Sequence, residues 1–428
     1  MIVQPHGNAT VLSLEDRRLL LNKPLSVSMA LLLLWSVGPQ LLCLSGCSPA
    51  EQPEGALESL QYGQQELEQL EQQPLREFHD LQVTGSMELA YAEQFSVDYL
   101  EGNYSLITIV STGRFLLVPE GQLAPWHVDA DITILQQPVD NIYLAATSAM
   151  SLFDALDALD HISMSGTRAN GWYIESARIA MEAGRIVFAG KYNAPDYELL
   201  LANGCRLAIE STMILHAPEV MEKLIDLGIP VLVERSSYEA YPLGRTEWIK
   251  LYGLLVGAQE QAEQIIAAQT AALASISAGA TGMTVAFFYI NAAGNAMVRR
   301  DGDYVIRMIE LAGGSYVFSG LGDDNSTDSV NLTLEQFYAQ AKEADVIIYN
   351  SSMDGEIRSL AELLAKSPLF ADFKAVHTGN VWCTSQSFFQ ATCGFSQMIA
   401  DMNMIFTGEA DSVTELNFLF RLEGLDSS

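Results

Sequence analysis

The longest stretch with a single helical period runs from Gly244 to Ser277. Trp248, Ile249, Leu251, Tyr252, Leu255, Ala258, Ala262, Ile265, Ile266, Leu273 and Ile276 recur there at three- and four-residue steps. Glu247, Lys250, Gln259, Glu260, Glu263 and Gln264 mostly fall between them. That spacing predicts one amphipathic helix. Pro242 and Gly244 precede it and Gly279 follows it, so both ends have chemical stops. At about 1.5 Å per residue it would reach roughly 45–50 Å, longer than one small domain needs. The expectation is a stiff strut over 244–278 that joins two lobes across a cleft.

On either side of the strut the pattern alternates between strand-length apolar runs and helical segments. Short β-type runs at Phe95–Tyr99, Tyr104–Val110 and Arg114–Val118 predict hairpins over 81–137, added to the front of a first lobe that extends to 243. Asn141–Ala146, Arg185–Ala189, Arg206–Ile209 and Pro230–Val233 read as buried strands, with Ser151–Leu159 and Pro218–Leu227 as helices. The theme returns over 279–428. Met283–Ile290 and Asp345–Tyr349 read as strands; Tyr304–Ala312, Leu334–Glu343, Glu356–Ala365 and Cys393–Phe406 read as helices. Alternation of this kind implies mostly parallel sheets covered by helices, and so an α/β fold with two Rossmann-like lobes. Each half also repeats helix, strand, loop, helix. The second helix of each repeat is expected to start on an acidic residue, Glu219 or Glu356, where a carboxylate complements the helix dipole.

The first 47 residues have a different character. Arg17, Arg18 and Lys23 precede an apolar run from Leu25 to Leu44, and Leu44-Ser45-Gly46-Cys47 closes it, the pattern of an export signal. Residues 48–80 are rich in Glu and Gln and poor in apolar side chains, which suits a solvated tether.

Composition narrows the functional classes. Apolar residues make up 49% of the 428 positions and the formal net charge is −31. Nucleic-acid binding needs basic patches that displace phosphate counterions, so such a partner is excluded. A strongly acidic surface suits a soluble monomer. The five cysteines contain no CxxC pair, which argues against structural zinc. Cys383 and Cys393 could bridge, although buried thiols are the simpler expectation. No GxSxG elbow, strand–GxGxxG–helix fingerprint or GxxxxGK[ST] loop occurs, and no histidines form an HxxxH or HxH pair. His216, near Glu210 in sequence, reads as an ordinary loop histidine rather than a metal ligand. No cofactor, metal centre or catalytic constellation is expected.

In open α/β sheets ligands bind outside the carboxyl ends of the strands. The loops there hold Arg168, Trp172, Tyr173, Tyr192 and Arg235 in the first half, with Arg245 at the start of the strut. Tyr289, Arg299 and the SQSFFQ stretch Ser385–Gln390 occupy the second half. Basic residues are scarce in this chain, so arginines at loop positions suggest an anionic ligand, with aromatics giving rigid contact.

These features together resemble a family. The apolar leader ending in LSGC looks like the lipobox of bacterial lipoproteins. The two α/β lobes, the long joining helix and the repeated strand–loop–Glu–helix resemble the substrate-binding lipoproteins of ABC importers, nearest the class that takes up ferric siderophores, haem and cobalamin. The stretch Glu234–Ile249, ERSSYEAYPLGRTEWI, is similar to a recurrent segment of the iron-complex branch. The resemblance covers roughly 139–406. It implies a lipid on Cys47 that anchors the chain to the outer face of the membrane. It also implies an iron chelate held between the lobes, and a permease that docks on one acidic residue per lobe. By position these are Glu219 and Glu356, with Asp354 competing for the second role. Cobalamin or a free metal ion in the same architecture, an α/β enzyme with an unrecognised site, and a surface adhesion protein remain the alternatives.

Overall fold

Residues 76–276, 279–321, 329–353, 355–413 and 415–424 are described by the computed structural model of this chain. All lie in the unit Gln69–Ser428. The leader, Cys47 and most of the proposed tether lie outside the described residues, as does Asp354. Residues 76–80 belong to the fold rather than to a tether. Phe78 is buried beside Leu100, Tyr104 and Leu116, and its N–H donates to Trp126 O at 2.9 Å.

The hairpin region forms a five-stranded sheet of β1 (Val83–Ser86), β2 (Phe95–Leu100), β3 (Ser105–Ile109), β4 (Gly113–Val118) and β5 (Ile132–Gln136), in that spatial order. Neighbours are antiparallel up to β4, and β5 joins β4 in parallel. Period-two alternation sends Phe95, Val97, Ile107, Phe115 and Leu117 to one face and Leu100, Leu116 and Val118 to the other. Both faces are covered.

The first lobe continues with β6 (Ile142–Leu144), α1 (Met150–Ala155), β7 (Ile162–Ser165), α2 (Glu175–Glu182), β8 (Val187–Phe188), β9 (Gly190–Lys191), β10 (Ala194–Pro195), α3 (Tyr197–Ala202), β11 (Leu207–Ser211), α4 (Pro218–Asp226) and β12 (Val231–Glu234). Five of these strands form an all-parallel sheet in the order β12-β11-β6-β7-β8. After the joining segment come β13 (Thr284–Ile290), β14 (Ala296–Arg299), β15 (Ser315–Tyr316), β16 (Ser329–Leu332), β17 (Val346–Tyr349), β18 (Val381–Thr384) and β19 (Leu419–Arg421). Here β13, β17 and β18 are parallel neighbours, while β14, β16 and β19 extend the sheet antiparallel. The order β18-β17-β13 repeats β12-β11-β6, so the two lobes share a three-strand core.

The joining segment departs from the sequence expectation. It is two helices, α5 (Pro242–Val256) and α6 (Gln259–Ser275), broken where Gly257 adopts φ 80°. Ala258 N–H then donates to Gly253 O at 2.7 Å, which closes the turn. Gly253 is needed there, because a Cβ on it would lie 2.9 Å from Ala262 Cβ and 3.0 Å from Ala258 O. All fifteen residues of α5 are buried, including Glu247 and Lys250. Two layers account for this. The hairpin sheet packs on one side, with the Phe95 and Trp248 rings 4.9 Å apart, and α1 packs on another, with Phe153 and Tyr252 also 4.9 Å apart. The polar positions that looked solvent-facing are occupied by buried hydrogen bonds. Glu247 accepts from the N–H groups of Ala90, Tyr91 and Ala92 at 2.8–2.9 Å, and Lys250 Nζ donates to Glu88 O at 2.8 Å. The strut is therefore α6 alone, roughly 25 Å long at about 1.5 Å per residue. Ala262 and Ile266 belong to the first-lobe core, whereas Leu273 and Ile276 pack on the second.

The second lobe is completed by α7 (Tyr304–Leu311), α8 (Leu334–Ala341), α9 (Leu360–Lys366), α10 (Lys374–Thr378) and α11 (Phe395–Thr407). The helix expected from Glu356 begins instead at Leu360. Ser359 caps it reciprocally with Glu362, which takes the first-turn acidic position. Among the described residues no disulfide joins Cys205, Cys383 or Cys393.

Candidate ligand site

The carboxyl ends of β6, β7 and β11 open onto a pocket of about 430 Å³. Thr147 follows β6, Gly166 to Gly171 follow β7, and Ser211 ends β11; Lys191 and Tyr192 reach in from the β9 turn. Strand packing makes the floor tight. A Cβ on Gly166 would sit 2.9 Å from Ala145 Cα, so only glycine lets the ends of β6 and β7 approach so closely. Gly190 has φ 87°, and a Cβ there would meet Ala194 O at 2.3 Å, so the β9 turn also depends on glycine.

The two charged side chains that line the pocket, Arg168 and Lys191, are both basic, in a chain of net charge −31. Arg168 stacks its guanidinium 3.9 Å above the Phe188 ring. Neither Arg168 nor Lys191 forms an ion pair among the described residues. Arg168 and Phe188 also line an open groove of about 530 Å³ with Asn170 and Ile186, so the stacked pair stands between two concave surfaces. A planar cation on an aromatic ring keeps its N–H donors directed outward along its edge, a geometry suited to carboxylates or other anionic oxygens.

Close to this floor lies a buried acid. Glu210 on β11 is fully buried, and neither carboxylate oxygen has a hydrogen-bond partner among the described residues. Burial pushes its pKa up to about 8, and its charge acts on the neighbouring Tyr143 and Tyr197. Tyr143 donates to Gly190 O at 3.0 Å, in the turn that carries Lys191 and Tyr192. Glu210 is not among the site residues singled out from sequence. His216 is exposed, and no group of three or more potential metal ligands occurs among the described residues.

Of the eight side chains singled out from sequence, Arg168 and Tyr192 line the pocket. Tyr173 is exposed beside it, with its N–H on Gln390 Oε1. Trp172 turns the other way. It is 3% exposed and belongs to the first-lobe core, because the chain alternates direction through residues 172–174. Arg235 is held by Gln94 at 3.1 Å and by the Tyr238 ring. Arg245 does not line the pocket of Arg168 and Tyr192. It is buried at the junction of the lobes, with its guanidinium 3.9 Å over Tyr304 on α7. Tyr289 packs half-buried on the second-lobe core, and Arg299 is paired with the buried Asp303 at 3.3 Å and faces the Phe389 ring. Lys191, Thr147 and Ser211, which also line the pocket, are not among the side chains singled out from sequence. Their convergence depends on β7 lying beside β6, and β7 itself was not foreseen.

The SQSFFQ loop after β18 crosses to the first lobe. Gln390 Nε2 donates to Gly171 O and Gln390 Oε1 accepts from Tyr173 N, each at 2.8 Å. Thr392 Oγ1 donates to Ser148 O, and Thr246 Oγ1 donates to Thr392 O, again at 2.8 Å. The carboxyl ends of the parallel strands of both lobes therefore turn toward one joint.

The two acids that the resemblance would place against a permease differ in state. Glu219 is exposed in the first turn of α4, behind Pro218, as expected. Glu356 lies in the loop before α9, paired with Arg358 and accepting from Gln386 N at 3.0 Å.

Residues 155–387, more than half of the chain, match the family model described as Periplasmic binding protein. An uncharacterized lipoprotein of Methanocaldococcus jannaschii, MJ0878, is 23% identical over 367 residues, 78% of this chain and 85% of the relative. Among solved structures, the periplasmic heme binding protein HutB of Vibrio cholerae superposes with a TM-score of 0.51 at 15% identity, over 61% of this chain and 97% of that one. A periplasmic heme binding protein from Pseudomonas aeruginosa gives 0.52 at 15% identity, over 66% and 98%. At such identities the likeness is one of fold.

Proposed function

We propose, for a chain that belongs to the periplasmic binding protein family, the role of a lipid-anchored receptor that captures an iron complex, a ferric siderophore or haem, and hands it to an ABC permease. The observation that carries this reading is the pocket at the carboxyl ends of β6, β7 and β11. Arg168 and Lys191 present cationic donors there in a chain of net charge −31. An iron chelate with peripheral carboxylates would place them on Arg168 and Lys191 and its flat or apolar parts on Tyr192 and Phe188. The protein's part is binding and orientation, not bond making.

In this reading the chain is extracytoplasmic and monomeric, held through acyl chains on Cys47. Among the described residues no helix is long and apolar enough to cross a membrane. Glu219 and Glu356 meet the permease, one from each lobe. Met213 and Leu215, exposed in the turn just before α4, give Glu219 an apolar surround suited to a protein partner.

Titrating purified protein with haemin, ferric siderophores, cyanocobalamin and free divalent metals tests the ligand class. Tryptophan quenching and the haemin Soret band are the readouts. Saturable binding of haemin or a ferric siderophore, weakened by Arg168→Glu, is expected. A response to free metal alone, or to none of the four, would sink the proposal.

A further inference from the structure

We propose that Gln390 is a positioning residue. From the second lobe it holds the Gly171–Tyr173 turn, so that the first-lobe pocket keeps its wall only while the lobes stay docked at that point. This inference rests on the reading that the pocket receives the ligand.

The geometry is specific. One side-chain amide satisfies both a backbone donor and a backbone acceptor across the lobe boundary: Tyr173 N–H on Oε1 and Gly171 O on Nε2, both at 2.8 Å. Gly171 lines the pocket, and Arg168 lies three residues before it, joined by the bond from Gly171 N to Arg168 O at 2.9 Å. A shift of the turn therefore moves the arginine that would meet the ligand. Trp172 anchors the middle of the turn in the first-lobe core, whereas Tyr173 is 46% exposed and its N–H and Gly171 O are the groups that Gln390 takes.

Other contacts keep the joint together without Gln390. Thr392 binds Ser148, Thr246 binds Thr392, and Arg245 stacks on Tyr304. These hold the lobes near α5, while Gln390 reaches the pocket. A ligand that favours one position of the turn must then favour one lobe angle, and the coupling is reciprocal. Lobe orientation, which a permease can read, becomes linked to occupancy through one amide.

The test uses ligand-free full chain with Gln390→Ala and the near-isosteric Gln390→Met, which keeps volume but loses both bonds. Amide hydrogen exchange at Tyr173 should accelerate at least about tenfold in both variants, while β11 and β17 amides keep their wild-type rates. Unchanged exchange at Tyr173 overturns the proposal. So does equal acceleration at β11 and β17, because Gln390 would then support the whole fold rather than this turn. Because no ligand enters the measurement, its failure and that of the iron-complex reading are separable. With haemin as probe, both variants should weaken binding severalfold. Full retention of haemin affinity despite fast exchange at Tyr173 would also overturn the link to the pocket.

Discussion

Trp248 donates its indole N–H to Glu239 Oε1 at 2.9 Å, and both side chains are buried. The same carboxylate accepts from Glu93 N at 2.8 Å and Gln94 N at 3.0 Å, next to the three backbone N–H groups that Glu247 takes. Five consecutive amides, from residue 90 to residue 94, thus end on two acids of the ERSSYEAYPLGRTEWI stretch. The third acid there, Glu234, accepts from Ser148 and Ser236 N. In this chain the stretch fastens the hairpin sheet to α5. Glu239→Ala leaves three donors without their acceptor and is expected to cost about 3 kcal/mol, whereas Trp248→Phe keeps the ring and loses one bond. Urea unfolding of both variants checks the ranking. Equal or reversed costs would refute it.

The bend between α5 and α6 yields a contrast between two glycines. Gly257 has positive φ but open space around it, so Gly257→Ala should cost only about 1 kcal/mol. Gly253 has ordinary helical geometry but no room for a methyl, with Ala258 backbone at 3.0 Å. Gly253→Ala should be the more damaging change, on the order of 2–3 kcal/mol. Denaturation midpoints decide it.

Glu210 predicts a pH dependence. In the native protein burial lets this carboxyl hold its proton up to about pH 8, against an ordinary value of 4.5. Between those values the folded state binds the extra proton, so stability falls as pH rises through the window. Glu210→Gln should remove that slope, with little change near pH 4 and a gain on the order of 5 kcal/mol at pH 9. Melting curves across pH 4–9 test the difference. Parallel curves for wild type and variant would show that Glu210 is not the titrating group.

Charge reversal at the pocket separates function from stability. Arg168→Glu with Lys191→Glu should weaken haemin or ferric-siderophore binding by about a hundredfold, with a smaller salt dependence, and leave melting nearly unchanged. Both groups are exposed and form no ion pair among the described residues, so little folding energy is at stake.

If Glu219 meets a permease as proposed, Glu219→Ala should leave ligand affinity unchanged and impair uptake in cells. Glu356→Ala should do the same but also loosen the Gln386 turn, because Glu356 accepts from that N–H. Normal uptake by the double variant would remove both from the permease contact.

How much was legible follows from the range of the interactions. Many strands and helices of both lobes, and their repeated order, come from local periodicity, which side-chain alternation writes into the chain directly, whereas β7, α2 and the antiparallel strands β14, β16 and β19 were not read from it. The family resemblance followed from that order and from the ERSSYEAYPLGRTEWI stretch. Burial at α5 was misread because Glu247 and Lys250 look like a solvent face. Their partners, the amides of residues 90–92 and Glu88 O, lie more than 150 positions away. Trp172 and Arg245 were assigned to the cleft because aromatic and basic residues suit ligands. Only packing shows that one fills the core and the other stacks on Tyr304. The convergence of Arg168, Lys191 and Ser211, and the reach of Gln390 to Gly171, arise from strand order and lobe docking. Amino-acid sequence alone sets which segments are strands or helices, since that depends on neighbours within a few residues. Which faces stay open to a ligand depends on what distant segments cover, and that is settled only when the chain has folded.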